Sequence, residues 1–110
     1  MPDDIEAIAE QVFAALADPT RRAMVARLAS GEASVQELAK PFHMSLPAIS
    51  KHLTLLTEAG LVTAEPGERR RVRYRLRSAP MKVAQQFLAA LARDWDGPLD
   101  ALKEHLDRGA

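Results

Sequence analysis

The sequence MSLPAISKHLTLLTEAGLV, which spans residues 44–62, decides the fold of this chain. Ser45 is a favourable helix N-cap, Pro47 is tolerated in a first helical turn, and Gly60 supplies a C-terminal stop. These signals predict a helix of about four turns over residues 45–59.

The two faces of this predicted helix differ in character. Apolar residues recur at helical spacing at Ile49, Leu53 and Leu56, and we expect them to face a core. The opposite face is small, hydroxylated and cationic, and it comprises Pro47, Ser50, Lys51 and Thr54. Such side chains suit close approach to phosphates and base edges. The pattern favours a helix that reads the major groove of DNA, with an ordinary amphipathic surface helix as the alternative.

One histidine of this helix has two interpretations. His52 stands beside Lys51, where its imidazole can donate to a phosphate or a base. The alternative is a partly buried packing role. His43, in the turn before the helix, is interpreted as a turn or packing residue.

Length and composition indicate one small domain. The chain has 110 residues and no cysteine, which excludes disulfides, thiolate metal sites and cysteine nucleophiles. The N-terminus is acidic rather than basic, and no stretch approaches the roughly 18 apolar residues of a membrane span. We therefore expect a single domain over residues 1–110, located in the cytoplasm and without membrane contact.

The charges are balanced in number but not in position. Fifteen basic and fifteen acidic residues give a formal net charge of zero, with basic residues concentrated between Leu61 and Lys82 and acidic residues near both ends. Attraction to DNA acts through the local field, within a screening length of about 8–10 Å. A neutral chain can therefore still bind a polyanion through one face.

Three further helices are predicted before the reading helix. Apolar spacing indicates the first over residues 3–17, and Asp18 begins a second that ends at Gly31. Ser34 and Glu37 form an S-x-x-E capping box that opens a short third helix. Only a few residues separate the third helix from the reading helix, which is the helix-turn-helix arrangement.

Arginines on the second helix are interpreted as a solvated polar face. They are Arg21, Arg22 and Arg27. A phosphate contact by Arg22 is the alternative.

The segment after the reading helix changes to a period of two and predicts a β-hairpin, the wing, over residues 61–77. Val72, Tyr74 and Leu76 are expected to face the core, and Arg73, Arg75 and Arg77 to face outward. Three more arginines cluster at the tip of the hairpin, where guanidinium groups can reach phosphates or the minor groove. The alternative is an edge hairpin that uses charge to prevent aggregation.

The last segment predicts a long helix over residues 80–107 with more apolar surface than one small core can cover. The economical partner is a second copy of the chain, joined through its first and last helices. Gly97 and Pro98 interrupt the pattern, so we expect a kink or two consecutive helices there.

Four runs of sequence together resemble the ArsR-type winged helix-turn-helix transcriptional regulators, and in particular their short, cysteine-free members. The runs are FAALADPTRRAMVARL at 13–28, SVQELA at 34–39, MSLPAISKHLTLLTEAGLV at 44–62 and RRRVRYRL at 69–76. The resemblance implies a homodimeric repressor that binds an inverted repeat in a promoter, often its own. It places the family's reading positions on Leu46, Pro47, Ser50 and Lys51, and its wing contacts on Arg69 to Arg71.

The chain departs from the family pattern at two places. Many members carry a glutamine where this chain has Leu46, and a leucine can contact a thymine methyl group but cannot bond an adenine edge. The metal-sensing positions of the last helix would fall on Asp94, Asp96, Asp107 and Ala110. Without imidazole or thiolate ligands a transition-metal site there would be weak, so we predict no metal.

We therefore predict a mostly α-helical protein with a small β-hairpin that acts as a sequence-specific DNA-binding regulator, with neither enzymatic activity nor a cofactor. Its partners would be double-stranded DNA and a second copy, and a small-molecule inducer is left open. The alternative is a winged-helix module for protein contacts. The predicted DNA contacts are Ser45, Leu46, Pro47, Ser50, Lys51, His52, Thr54, Arg69, Arg70, Arg71 and Arg73. The predicted dimer contacts are Ile5, Val12, Phe13, Phe87, Leu88, Leu91, Trp95, Leu99 and Leu102.

Overall fold

The computed structural model describes the backbone of residues 2–109, and it leaves out the side chains of residues 2–4, 95, 96, 98 and 99. Within this range the chain forms five α-helices and one two-stranded sheet. The elements are α1 (Pro2–Ala15), α2 (Pro19–Ala29), α3 (Val35–Ala39), α4 (Leu46–Glu58), β1 (Val62–Pro66), β2 (Val72–Leu76) and α5 (Ser78–Gly109). The predicted fold class, mostly helical with a small hairpin, is confirmed.

Side-chain caps determine where the short helices begin. The Asp18 carboxylate accepts the backbone N–H of Arg21 at the start of α2, and the predicted capping box at the start of α3 is complete. A 3-10 turn at Lys40–Phe42 and the left-handed residue His43, with φ of 54°, then connect α3 to α4. The predicted helix-turn-helix is therefore formed by α3 and α4.

The hydrophobic core lies between the first four helices and β1. Ile49, Leu53 and Leu56 of α4 are buried, as their spacing predicted. Met24 and Leu38, which lie on α2 and α3, have no exposed surface. These contacts hold α4 by its inner face and leave its outer face to solvent.

The wing is attached to the domain on one side. β1 and β2 pair antiparallel, from Val62 opposite Leu76 to Pro66 opposite Val72. Ala33, in the loop before α3, exchanges two backbone hydrogen bonds with Tyr74 of β2, at 3.0 and 2.8 Å. The middle of β2 is therefore hydrogen-bonded to the loop that precedes α3.

One prediction about the wing was wrong, and one of the two alternatives that we gave for the last helix is excluded. Val72, which we expected in the core, is 45% exposed because it lies at the tip end of β2, beyond the reach of the core. α5 is a single helix of 32 residues rather than two helices that meet at Gly97 and Pro98. Because proline has no backbone N–H, the helix lacks one hydrogen bond at Pro98, but the hydrogen bonds on both sides continue the helix.

α5 begins almost directly after the wing and packs along α1. Only one residue, Arg77, separates β2 from α5, and its N–H donates to the Leu61 carbonyl at 2.7 Å. The rings of Phe13 on α1 and Phe87 on α5 lie 6.3 Å apart between centroids. α1 and the first part of α5 therefore form one packed unit.

Candidate nucleic-acid interface

The outer face of α4 presents the residues that the sequence pattern placed there. The exposed side chains are Ser45, Leu46, Pro47, Ser50, Lys51 and Thr54. No acidic residue occurs between Ser45 and Thr54, so no carboxylate of this face opposes a phosphate. This surface, Ser45 to Thr54 on the outer side of α4, is called the reading face below.

Some hydroxyl groups of the reading face are already engaged. The Ser45 Oγ accepts the Ala48 N–H at 3.3 Å, which caps the helix. The Thr54 Oγ1 donates to the Ser50 carbonyl at 3.0 Å. Ser50 and Lys51 are therefore the polar side chains of this face without an intramolecular hydrogen bond among the described residues.

His52 points away from the reading face, toward the start of α2. Its side chain is partly buried, and Nδ1 lies 4.0 Å from Asp18 Oδ2. The Arg21 N–H bond lowers the pKa of Asp18, and the nearby His52 lowers it further. Buried Nδ1 has no hydrogen-bond partner among the described atoms. The position favours the packing role that we gave as the alternative.

The tip of the wing is a tight turn that carries three exposed arginines. The Gly67 N–H donates to the Arg71 carbonyl at 2.6 Å, and Arg69 and Arg70 have left-handed φ values of 57° and 62°. A Cβ atom on Gly67 would lie 2.7 Å from that carbonyl oxygen, so the close approach requires glycine. Such left-handed residues cost on the order of 1–2 kcal/mol each.

The tip arginines have no intramolecular partners in the described part of the chain. Arg69, Arg70 and Arg71 make no ion pair or side-chain hydrogen bond with a described residue. Their guanidinium groups are therefore available to an external anion.

The arginines on the wing strands form ion pairs within the molecule. Arg73 Nη1 lies 2.7 Å from Glu37 Oε1, and Arg73 Nε lies 3.4 Å from Glu32 Oε1. Arg75 Nη2 lies 2.6 Å from Glu65 Oε1. Although we predicted Arg73 as a DNA contact, its guanidinium joins β2 to α3 and the preceding loop.

Glu37 is the centre of this attachment, and sequence reasoning assigned it only a capping role. Its carboxylate accepts the Ser34 N–H and hydroxyl at 3.3 and 3.1 Å, in addition to Arg73. The hydrogen bonds from Ser34, followed by Arg73, lower the pKa of Glu37. The signal in the sequence was the capping-box spacing, but no local pattern indicated Arg73 as its partner.

The arginines at the start of α2 cap the end of α1. Arg21 Nε donates to the Ala15 carbonyl at 2.6 Å, and Arg22 Nη1 donates to the Leu16 carbonyl at 2.7 Å. Carbonyls at a helix C-terminus lack intrahelical partners and attract cations. Arg21 and Arg22 therefore bond the end of α1, and Arg22 is also exposed to solvent, as the predicted polar face requires.

The predicted dimer residues occupy different environments. Val12 has no exposed surface and belongs to the core of one chain, because its side of α1 faces inward. Phe87 is partly buried against Phe13. The side chains of Trp95 and Leu99 lie outside the described residues. The exposed large apolar residues of the two helices are Ile5, Phe13, Leu88, Leu91, Leu102 and Leu106.

The described part of the chain holds neither a cluster of metal ligands nor a membrane-spanning helix. No three histidine, cysteine, aspartate or glutamate side chains there come together as a metal site. Across the same residues, no helix has the length and apolar character needed to cross a membrane. Of the predicted acidic pattern on α5, the Asp96 side chain and Ala110 lie outside the description.

Comparison with known sequences identifies the same region. A protein-family model described as a helix-turn-helix domain matches residues 16–65. The HTH-type transcriptional regulator Rv2034 of Mycobacterium tuberculosis is 45% identical over 79% of this chain and 74% of its own length. The HTH-type transcriptional repressor SmtB of the same species is 40% identical over 83% of this chain and 65% of its own length.

Solved structures agree with the fold. An ArsR-like transcriptional regulator from Rhodococcus sp. RHA1 superposes with a TM-score of 0.75 at 34% identity, over 90% of this chain and 92% of that one. The homodimeric winged helix-turn-helix DNA-binding domain of Mb0332 from Mycobacterium bovis superposes with a TM-score of 0.64 at 32% identity, over 86% and 85%. Together with the helix-turn-helix and wing described above, these similarities show that the chain belongs to the ArsR family of winged helix-turn-helix transcriptional regulators, which are not enzymes.

Proposed function

We propose that the protein binds operator DNA as a homodimer and represses transcription from the promoter that it occupies. The observation that carries the proposal is the pairing of an acid-free reading face with a wing tip whose arginines have no intramolecular partner in the described chain. The reading face would enter the major groove, and the tip would contact phosphates or the adjacent minor groove.

The proposed DNA contacts differ from the full predicted set in two residues. Ser45, Leu46, Pro47, Ser50, Lys51, Thr54 and the tip arginines 69–71 are exposed and keep their proposed role. His52 and Arg73 are assigned instead to the intramolecular contacts described above, with Asp18 and with Glu37.

The proposed dimer forms through the exposed apolar side chains of α1 and α5. Leu88 is 52% exposed, and Leu102 and Leu106 lie further along the same helix with larger exposed fractions. Apolar rows of this kind are stabilised by burial against a partner. In a two-fold dimer the two reading helices would enter successive major grooves about 34 Å apart, which predicts an inverted-repeat operator.

A dimer that occupies a promoter can repress it by excluding other proteins from the same sites. The relatives named as repressors support this sign of regulation. Since the operator lies on the chromosome, the proposed location of the protein is the cytoplasm.

The test is a fluorescence-anisotropy titration against the DNA immediately upstream of the protein's own coding sequence, with scrambled DNA as competitor, at two salt concentrations. We expect tight, sequence-selective binding of two protomers per duplex that weakens steeply with salt as counterions are released. Equal, weak binding to both duplexes would contradict autorepression. It would favour an operator elsewhere or the alternative function, a winged-helix module whose basic wing binds an acidic protein.

The dimer is tested separately by sedimentation of Leu88→Glu. A charge on this exposed position should yield monomers that retain their helix content, because the side chain is not part of the single-chain core. Leu55→Glu is the matched control, since Leu55 is similarly exposed on α4. If Leu88→Glu stays dimeric, this face is not the interface.

A further inference from the structure

The start of α4 exposes an apolar surface where a reading helix would meet base edges. Leu46 is the first residue of the helix and is 44% exposed, and Pro47, the second residue, is exposed as well. N-terminal residues of a recognition helix are those that contact bases. Proline loses no side-chain freedom on binding and leucine loses little, so this surface is already organised.

The backbone at the same place offers few hydrogen-bond donors. Pro47 has no N–H, and the N–H groups of Ala48 and Ile49 donate to the Ser45 hydroxyl and carbonyl, at 3.3 and 3.1 Å. A helix start of this kind is poorly suited to bind a phosphate through its amides.

The side chains of the reading face also lack the groups that make bidentate contacts with adenine. No asparagine, glutamine or arginine occurs between Ser45 and Thr54. Lys51 can bond a guanine or a phosphate as a point charge. Discrimination at Leu46 and Pro47 must therefore come from an apolar contact.

The major groove presents one apolar group, the 5-methyl group of thymine. We infer that Leu46 and Pro47 read thymine by contact with this methyl group, so that each operator half-site carries a thymine opposite the start of α4. The inference rests on the proposed DNA binding and adds its specificity. A 5-methylcytosine at the same position would present the same methyl group and would be bound better than cytosine.

The test begins with selection of duplexes from a random pool by the purified protein. Each thymine of the selected operator is then replaced by deoxyuridine, which removes the methyl group and leaves base pairing unchanged. At the critical thymine we expect affinity to fall about fourfold per half-site, which corresponds to burial of one methyl-sized group. A duplex that carries 5-methylcytosine paired with guanine at the same position should bind more tightly than the duplex that carries unmethylated cytosine there.

Three variants assign the effect to Leu46. Leu46→Ala should lose most of the preference for the thymine operator over the uracil operator, and Leu46→Met, which stays apolar and long, should keep it. Lys51→Ala should bind both operators more weakly but preserve their ratio. A wild-type protein indifferent to uracil at every position, or a Leu46→Ala variant with the full preference, would overturn the inference while leaving operator binding intact. Failure to select any duplex would instead overturn the proposed function, and the inference with it.

Discussion

Arg21 and Arg22 at the corner of α1 and α2 carry the same guanidinium group as Arg70 and Arg71 at the wing tip, but their surroundings differ. At the corner, each guanidinium donates to a backbone carbonyl at the end of α1, at 2.6 and 2.7 Å. At the tip, the exposed side chains make no ion pair or hydrogen bond with a described carboxylate or carbonyl group. A cluster of arginines in the sequence therefore indicates a DNA contact only where the fold places no intramolecular hydrogen-bond acceptor beside the guanidinium groups.

The largest effect is expected from removal of the tip charges. In the double variant Arg70→Ala/Arg71→Ala, a homodimer would lose four phosphate contacts, which we expect to lower affinity for all sequences by about 10³-fold, at roughly 1 kcal/mol per contact. The slope of log affinity against log salt should flatten by about 3.6, at 0.9 per contact. Anisotropy titrations over a salt series measure both quantities.

The melting temperature of this double variant should stay unchanged, because the two side chains have no described intramolecular partner. Alanine at position 70 also pays about the same energetic cost as arginine for the left-handed φ. An unaltered salt slope would show that the tip does not meet phosphates.

The opposite behaviour is expected at the corner. Arg21→Ala should lower the free energy of unfolding by about 1–2 kcal/mol, because the last carbonyls of α1 lose a charged donor. Urea denaturation measures this loss. The salt slope of DNA binding should be that of the wild type, and a flattened slope with wild-type stability would make Arg21 a DNA contact instead.

A smaller effect is expected for the attachment of the wing. Glu37→Gln keeps the capping box, which accepts glutamine as well as glutamate, but removes the charge opposite Arg73. We expect DNA affinity to fall by about three- to tenfold, since a loosened wing must be ordered on binding. Arg73→Ala in the Glu37→Gln background should then lower DNA affinity little further. If the two affinity losses were fully additive, the two residues would not act as a pair.

The same pair has a defined pH dependence. Because the folded-state pKa of Glu37 is depressed, its contribution to stability is present above the usual value of about 4.5 and is lost as the pH falls through the lower folded value. The stability difference between wild type and Glu37→Gln should therefore be constant near neutral pH and disappear in acid. Denaturation midpoints measured from pH 7 to pH 3 check the sign.

The smallest effect is expected at Arg75. Its side chain is 60% exposed, so Arg75→Ala should change the free energy of unfolding by no more than about 1 kcal/mol, despite the 2.6 Å contact with Glu65. The salt slope should also change little. A loss as large as that of Arg21→Ala would show that the hairpin depends on this pair.

The helices and the reading face could be predicted from sequence because burial on a helix is a local, periodic property. Ile49, Leu53 and Leu56 had to lie on one side of α4, and this left Ser50 and Lys51 on the other. The helix caps at Asp18, Ser34 and Ser45 could likewise be predicted from residues only a few positions apart in the sequence.

The contacts between elements could not be predicted in the same way. Alternation along β2 placed Arg73 outward, but only the fold places Glu32 and Glu37 in front of it. Periodicity on α1 marked Val12 as apolar without distinguishing the core of one chain from an interface between two. The roles of Arg21 and Arg22 depend on where the preceding helix ends in space, which their own sequence pattern does not contain.

The single residue between β2 and α5 has a mechanical consequence. Arg77 is hydrogen-bonded to Leu61, so the connection between β2 and α5 is short and fixed by a backbone hydrogen bond. In the proposed dimer, a change in the angle at which the two α5 helices cross would therefore rotate each wing together with its α5 helix. A signal that alters the helix pair would thus also change the position of the tip arginines, which are the proposed DNA contacts of the wing.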